Sequence, residues 1–406
     1  MKPLFYGWIV TGCAFVVLFL TYGVQYSFGI FVPVMVDELG WQRASLGGAF
    51  SFYTVVYTTF SLLSGKLTDS LGPRRVVGLG GVLLGIGIMA TSQMSSQWQL
   101  FFWYGIVAAL GMSTAYIPCN VTVVRWFQRK RGLALGVASC GASCGILAVP
   151  VFTSLLINLT DWRTAMLTLG AGMLVLISVV ARFMVSDPKR MELLPDGDSA
   201  PAQDAIVGSL DDTTGWTLRE AAATLSFWVF LMAFAVGMLT TTIPFVHIAG
   251  FAQDIGLSDI AGAMTFSIMG LFALIGSVSL GTVSDRIGRK AMMVFALASQ
   301  VLAYVLFLNA ESVITLYVGA AAFGFFYGGI ATLFPALVGD LFGPAHAGTI
   351  GGFIFAGGGI LGAWGPALAG YLRDVHGDYH LAFFYCVLIA ACALVLFAIL
   401  PKPRGS

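Results

Sequence analysis

Charge is scarce in this sequence. Asp, Glu, Lys and Arg make up 10% of its 406 residues, against roughly 25% in an ordinary soluble domain. A globule of this size could not cover itself with so few polar groups, so a soluble enzyme is excluded. A net charge of +1 lacks the basic excess that a nucleic-acid binder needs. A hydrophobic share of 58% excludes a disordered scaffold. The six cysteines, Cys13, Cys119, Cys140, Cys144, Cys386 and Cys392, lie in apolar runs with no C-x-x-C pair or Cys/His cluster. Neither zinc nor a redox centre is expected, and no other cofactor. Cys140 and Cys144, four residues apart, read as small residues for close helix packing. Gly351–Gly352 and Gly357–Gly359 lie in an apolar run with no Lys-Ser/Thr after them, so they do not form a phosphate loop. No nucleophile stands at a plausible spacing from a base, so no catalytic residue is expected.

Long apolar runs take the place of all this. A membrane-spanning helix needs about 20 mostly apolar residues. Cutting at charged and Gly/Pro-rich breaks gives spans at 8–34, 45–65, 76–93, 100–124, 132–157 and 164–185, then 226–249, 260–281, 291–309, 314–338, 348–371 and 380–400. The first span is too long and too weakly flanked to be a removable signal peptide. With the N-terminus inside, seventeen Lys and Arg fall on the inner side, and Arg43, Arg163 and Arg373 on the outer side. The positive-inside bias then sets both termini in the cytoplasm. The hydrophilic stretch from Asp187 to about Arg219, with Glu192, Asp196, Asp198, Asp211 and Asp212, reads as a solvated linker. The expected domains are therefore an N-terminal six-helix bundle (1–186), a cytoplasmic linker (187–225) and a C-terminal six-helix bundle (226–406).

The two halves repeat at a constant offset of 216. GKLTDSLGPRR begins at Gly65 and GTVSDRIGRK at Gly281. Gly65, Asp69, Gly72 and Arg74 map onto Gly281, Asp285, Gly288 and Lys290. Gly132, Gly136, Gly141 and Pro150 map onto Gly348, Gly352, Gly357 and Pro366 at the same offset. The glycines suit tight reversals with unusual backbone angles. Asp69 and Asp285 are placed to cap a neighbouring helix N-terminus, and the basic residues after them to meet headgroups or pair with acids. The architecture expected is an all-α membrane protein of twelve helices in two parallel six-helix repeats.

At this point the chain resembles the major facilitator superfamily over its full length, with the repeated loop as that family's conformational gating motif. YGWIV at 6–10, GWQRA at 40–44, RWFQRKRGLALGVA at 125–138 and GPALAGYLRDVHGDY at 365–379 are similar to bacterial relatives of the monocarboxylate transporters and oxalate–formate exchangers. The resemblance implies a secondary carrier of organic anions in the bacterial plasma membrane, working as a monomer by alternating access. It also implies helices one, four, seven and ten around a central cavity, with helices three, six, nine and twelve outside. The basic groups that those relatives place in the membrane are missing here. The lysine of helix one falls at Tyr26, the arginine of helix eight at Ser277 and the lysine of helix eleven at Gly357. An intramembrane charge is costly and persists for function. A dianion would need a compensating cation in a site shielded from water, so oxalate exchange is disfavoured.

A monoanion held by neutral donors, or an acid carried with its proton, fits better. Inside the spans, Tyr22, Gln25, Tyr26, Tyr53, Tyr57, Tyr116, Asn120, Thr240–Thr242, Ser277, Ser279, Gln300 and Tyr327 are the polar candidates. Pro244 lacks the N–H that would engage the carbonyl of Thr240, which frees that carbonyl for a ligand. The substrate residues expected are Tyr26, Tyr116, Asn120, Ser277 and Tyr327. His247, near the outer end of the seventh span, is the candidate for proton coupling. The alternative is an efflux carrier for a neutral or amphiphilic molecule, favoured by an aromatic, charge-free lining.

Overall fold

A computed structural model describes residues 5–127, 130–197, 216–343 and 347–400. Within them, the side chains of Lys66, Asp69, Arg131, Asp285 and Ala347 lie outside the description, as do linker residues 198–215 and His346. Among the described residues, twelve helices are long and apolar enough to cross a membrane, matching the twelve runs of the sequence. They are α1 (Tyr6–Leu39), α2 (Arg43–Leu71), α3 (Pro73–Thr91), α4 (Gln97–Trp126), α5 (Arg131–Leu159) and α6 (Trp162–Ala181). Then come α7 (Leu225–Asp254), α8 (Asp259–Ile287), α9 (Arg289–Leu308), α10 (Val313–Phe342), α11 (Ala347–Gly362 and Gly365–His376) and α12 (His380–Ile399).

The helices start where the chain offers a side-chain acceptor for the free amides of a first turn. Asp161 accepts from the amides of Arg163 and Thr164 before α6. Thr224, Ser258 and Ser312 do the same before α7, α8 and α10. These amide bonds and the Thr164 hydroxyl also hold the Asp161 carboxyl below its usual range. Three spans are not continuous α-helix. α4 has a π-helical turn at Trp103–Ala108 and a break at 113–115. α7 is interrupted at Thr242, before Pro244, and α11 between Gly362 and Gly365, before Pro366. Each proline thus opens a helix segment, where its missing N–H costs nothing.

The repeat survives into the backbone. Helix starts at 43, 73, 97 and 131 recur 216 positions later at 259, 289, 313 and 347. The α2–α3 and α8–α9 reversals are single residues, Gly72 at φ 82° and Gly288 at φ 102°, a region that L side chains avoid. Any other residue at either position would carry backbone strain.

The chain forms two compact units. One comprises Met1–Val34 with Phe52–Gln203, and the other Met35–Ser51 with Asp204–Ser406. The outer end of α1 and the first turns of α2 therefore belong with the second unit. In the first unit, α5 lies close on α1, with Gly141 and Gly145 against the carbonyls of Phe15 and Phe19. In the second, Gly324 and Gly328 of α10 meet the carbonyls of Met269 and Ala273 on α8. Small residues four apart let two backbones approach where lipid supplies no hydrophobic drive for association. Apolar side chains such as Leu79, Val278 and Ile314 stay more than half exposed along the spans, as a surface meeting acyl chains requires.

A Cβ at Gly328 would collide with the Ala273 carbonyl, whereas one at Gly339 on the same helix meets nothing. Gly328→Ala should lower stability by about 1–3 kcal/mol through overpacking. Gly339→Ala should be neutral or gain up to about 1 kcal/mol of helix propensity. Thermal unfolding of the two variants in detergent checks this, and equal melting temperatures would contradict the packing assignment.

Candidate functional site

In the first unit, α1 carries Tyr22, Gln25 and Tyr26 at helical spacing, and α4 resumes at Tyr116 after its break. Tyr22 brings the two helices together, with its ring 6.2 Å from Tyr26 and 6.4 Å from Tyr116. Tyr26 is buried, while Tyr116 keeps 48% of its surface open. Asn120 lies one turn beyond Tyr116. Its Oδ1, like Oε1 of Gln25, is buried with no hydrogen-bond partner among the described residues. Deeper in the same unit, Phe28, Tyr104 and Tyr53 form a stack with centroids 4.5 and 4.6 Å apart. The π-helical turn of α4 carries Tyr104 into this stack, which assigns Tyr53 to packing.

In the second unit, the hydroxyls of Ser277 on α8 and Thr332 on α10 hydrogen-bond at 2.7 Å. Tyr327, a turn earlier on α10, packs edge-on against Phe245 of α7 at 5.1 Å. The substrate candidates thus form two groups, Tyr26, Tyr116 and Asn120 in one unit, Ser277 and Tyr327 in the other.

One expectation of the sequence is corrected. The Thr240 carbonyl freed by Pro244 is not open to a ligand, because the Tyr304 hydroxyl of α9 donates to it at 2.7 Å. Gln300, one turn earlier on α9, donates to the hydroxyls of Thr240 and Thr241 at 3.1 and 3.2 Å. Gln300 and Tyr304 are fully buried. Helix nine is therefore not purely peripheral, and its polar face repairs the break in α7. Tyr304 was the residue that sequence reasoning missed. Its signal was a tyrosine one turn from an intramembrane glutamine.

A second polar cluster gathers at the start of α2 and the ends of α7 and α11. The Arg43 guanidinium donates to the Tyr379 hydroxyl at 3.1 Å and to Asp254 at 3.5 Å. Arg373 holds both oxygens of Asp254 at 3.1 and 3.2 Å. Asp374 accepts from the backbone amides of Arg43 and Ala44, which caps the N-terminus of α2. The guanidinium lies on Gly250, and the Arg43 and Ala44 backbone on Gly370, where a Cβ would clash. The paired charges Arg373 and Asp374 thus act on different partners.

His247 is part of this cluster, not a water-exposed residue of the membrane boundary. It is fully buried, with Nε2 2.8 Å from the Pro366 carbonyl and Nδ1 3.0 Å from the Tyr379 hydroxyl. A carbonyl can only accept, so Nε2 carries the hydrogen. Burial pushes the Tyr379 phenol up to about 12, so Tyr379 keeps its proton. Its oxygen accepts from Arg43 while its O–H donates to Nδ1, and a neutral imidazole is satisfied at both nitrogens. A second proton on His247 would turn Nδ1 into a donor and displace the Tyr379 hydrogen.

The two loops of the repeated motif keep their equivalence. Gly65 faces Ile117 of α4, and Gly281 faces Thr332 of α10. After Gly288, Arg289 pairs with Asp340, and Lys290 donates to the Ala398 carbonyl at the end of α12. Arg74, the counterpart of Lys290, is exposed. The caps expected from Asp69 and Asp285 fall on side chains outside the description.

Among the described residues there is no strand, and twelve helices, with starts that repeat at one offset, are long and apolar enough to cross a membrane, which defines a polytopic membrane protein. The family model of the Major Facilitator Superfamily matches residues 14–308 and 225–406. The chain belongs to that superfamily. It is 30% identical to monocarboxylate transporter 13 of Rattus norvegicus, across 93% of this chain and 85% of the relative. It is 25% identical to monocarboxylate transporter 12 of Homo sapiens, across 98% and 81%. Among solved structures, a D-xylose-proton symporter superposes with a TM-score of 0.78 at 14% identity, covering 99% of both chains. A bacterial homolog of the human lysosomal transporter Spinster gives 0.75 at 14% identity, covering 98% and 97%. These two likenesses speak to the fold.

Tyr304→Phe removes the donor to the Thr240 carbonyl without changing shape. It should cost about 1–3 kcal/mol, the penalty of an unmet buried carbonyl, read as a lower melting temperature in detergent. An unchanged melting temperature would mean that the break in α7 finds another partner.

Proposed function

We propose that this protein carries a small monocarboxylic acid across the bacterial plasma membrane by alternating access, as a monomer with both termini in the cytoplasm. The observation that carries the reading is the pairing of a full-length likeness to monocarboxylate transporters with buried, unpartnered side-chain amide oxygens at Gln25 and Asn120. An unmet buried acceptor is costly, and a ligand that donates to it recovers that cost. A carboxylic acid carrying its proton is such a donor. The Asn120 amide presents a carbonyl and an NH2 side by side, which complements the O–H and C=O of an undissociated carboxyl. Tyr26 and Tyr116 would border the apolar part of the acid. Ser277 and Tyr327 are the contribution of the second unit to substrate contact.

This chemistry needs no Lys or Arg among the substrate residues, and it moves one proton with each acid. His247 is the protein group proposed to take a proton instead. Loading its Nδ1 would turn the Tyr379 hydroxyl away and loosen Arg43, which links protonation to the cluster at the start of α2.

Uptake of radiolabelled lactate and pyruvate into proteoliposomes, with and without an inward proton gradient, tests the reading. Saturable, gradient-driven uptake is expected, and Asn120→Leu should raise KM about tenfold, the worth of one lost hydrogen bond to a buried group. No acid uptake, with export of hydrophobic dyes instead, would replace this reading with the efflux alternative. His247→Gln keeps hydrogen bonding but cannot titrate. If His247 couples the proton, the variant exchanges substrate but no longer accumulates it against a gradient. Unchanged accumulation would assign the proton to the substrate.

A further inference from the structure

We infer that the first unit holds an anion site for a phosphate group, built where the α2–α3 turn, the end of α4 and the segment after α6 converge. A cavity of about 380 Å³ opens there, within the size range of small-ligand sites. Three of its lining side chains are cations, Arg125, Lys189 and Arg190. The one acid in the lining, Asp187, spends a carboxylate oxygen on the backbone amide of Lys189 at 2.8 Å. Arg125 has an interaction of its own, so the cations the lining offers to an anion are Lys189 and Arg190.

The walls of this cavity are fixed from behind. The Trp126 indole donates to the Val185 carbonyl at 2.8 Å, and the Tyr6 hydroxyl donates to that of Phe183 at 3.0 Å. These bonds tie the segment after α6 across the end of α4. Ser186, next in sequence, lines the cavity with 7% of its surface exposed. Its hydroxyl makes no hydrogen bond to a described residue, and its place in the lining leaves it open to a ligand that accepts. Lys189 and Arg190 are exposed and form no ion pair among the described residues. The turn residue Gly72 also lines the cavity, and it precedes α3 without a side-chain cap. The positive end of a 19-residue helix therefore adds to the side-chain cations.

Clustered guanidinium and ammonium donors, one hydroxyl and a helix N-terminus match an oxyanion with several acceptor oxygens. That group is a phosphate, carried by a lipid headgroup or free in solution. Thr68, in the same wall, adjoins Asp69 of the repeated motif, so occupancy of the cavity would bear on the α2–α3 turn.

The detergent-solubilised, full-length protein is titrated with dioleoyl phosphatidylglycerol, and bound lipid is counted by native mass spectrometry. The comparison is among wild type, the K189Q/R190Q double variant, Ser186→Ala, and Arg286→Gln as an exposed cation at the α8–α9 turn. Size-exclusion elution and melting temperature confirm that each is folded. Loss of two site cations should weaken lipid binding about tenfold or more, Ser186→Ala should weaken it severalfold, and Arg286→Gln should leave it unchanged. Equal binding by wild type and the double variant, or an equal loss in Arg286→Gln, would overturn the site. A second titration with inorganic phosphate identifies the source of the group. Displacement of lipid at millimolar phosphate supports free phosphate as the occupant, and undisturbed lipid supports the headgroup. Failure of both probes to bind wild type would overturn the proposal.

Discussion

A polar atom inside an apolar layer must find its partner within the protein, because the surrounding lipid offers none. Most of this molecule follows from that constraint. Twelve helices satisfy their own backbones, and the places where a helix is broken are the places where side chains intervene. At Pro244 the helix loses one bond, and Tyr304 supplies a donor to the carbonyl left behind. Gln300 then binds the two threonine hydroxyls beside it. At the start of α2 the free amides of Arg43 and Ala44 are met by Asp374 from α11. The Arg43 charge is met by Asp254 and by the Tyr379 oxygen. Both of these defects are closed by residues distant in sequence, whereas at the break in α4 the hydroxyls of Ser113 and Thr114 donate locally to the carbonyls of Leu110 and Gly111.

The second organising feature is the absence of bulk at helix crossings. Gly141 and Gly145 admit the α1 backbone, and Gly324 and Gly328 admit that of α8. Van der Waals packing at such distances supplies the association that hydrophobic burial supplies in water. The repeat distributes these crossings in two units whose helices begin at the same register. The glycines of the two motif turns take positive φ for a different reason. One residue must reverse the chain between antiparallel helices, and a left-handed backbone is the way to do so.

The chemistry of the proposed substrate residues follows from what those two features leave over. With charges held at helix ends, the polar atoms available in the spans are hydroxyls and amides. Many are already spent, such as Ser277 on Thr332. The amide oxygens of Asn120 and Gln25 are not, and they lie among aromatic rings. In the proposed function these acceptors are the atoms that a small acid bringing its own proton would meet. The cluster around His247 satisfies a neutral imidazole at both ring nitrogens.

The spans, their number and the repeat were legible in the sequence, because an apolar run of membrane length has one compatible structure and a fixed offset is a linear property. Helix ends were less legible. α10 continues to Phe342 and α11 to His376, since a helix need not stop where hydropathy falls. The polar residues of the spans were also visible, but not their duties. Gln300 looked peripheral and is a core hydrogen-bond donor. His247 was legible as a histidine near the end of a span, but not as a fully buried one. The Thr240 carbonyl looked open and is bonded. Arg373 and Asp374 are neighbours in sequence, yet they serve Asp254 and the start of α2. Composition and periodicity determine that a side chain lies in an apolar layer and on which stretch of helix. Whether its polar atom meets a partner or remains available depends on neighbours brought from elsewhere in the chain, and the tertiary structure alone decides that.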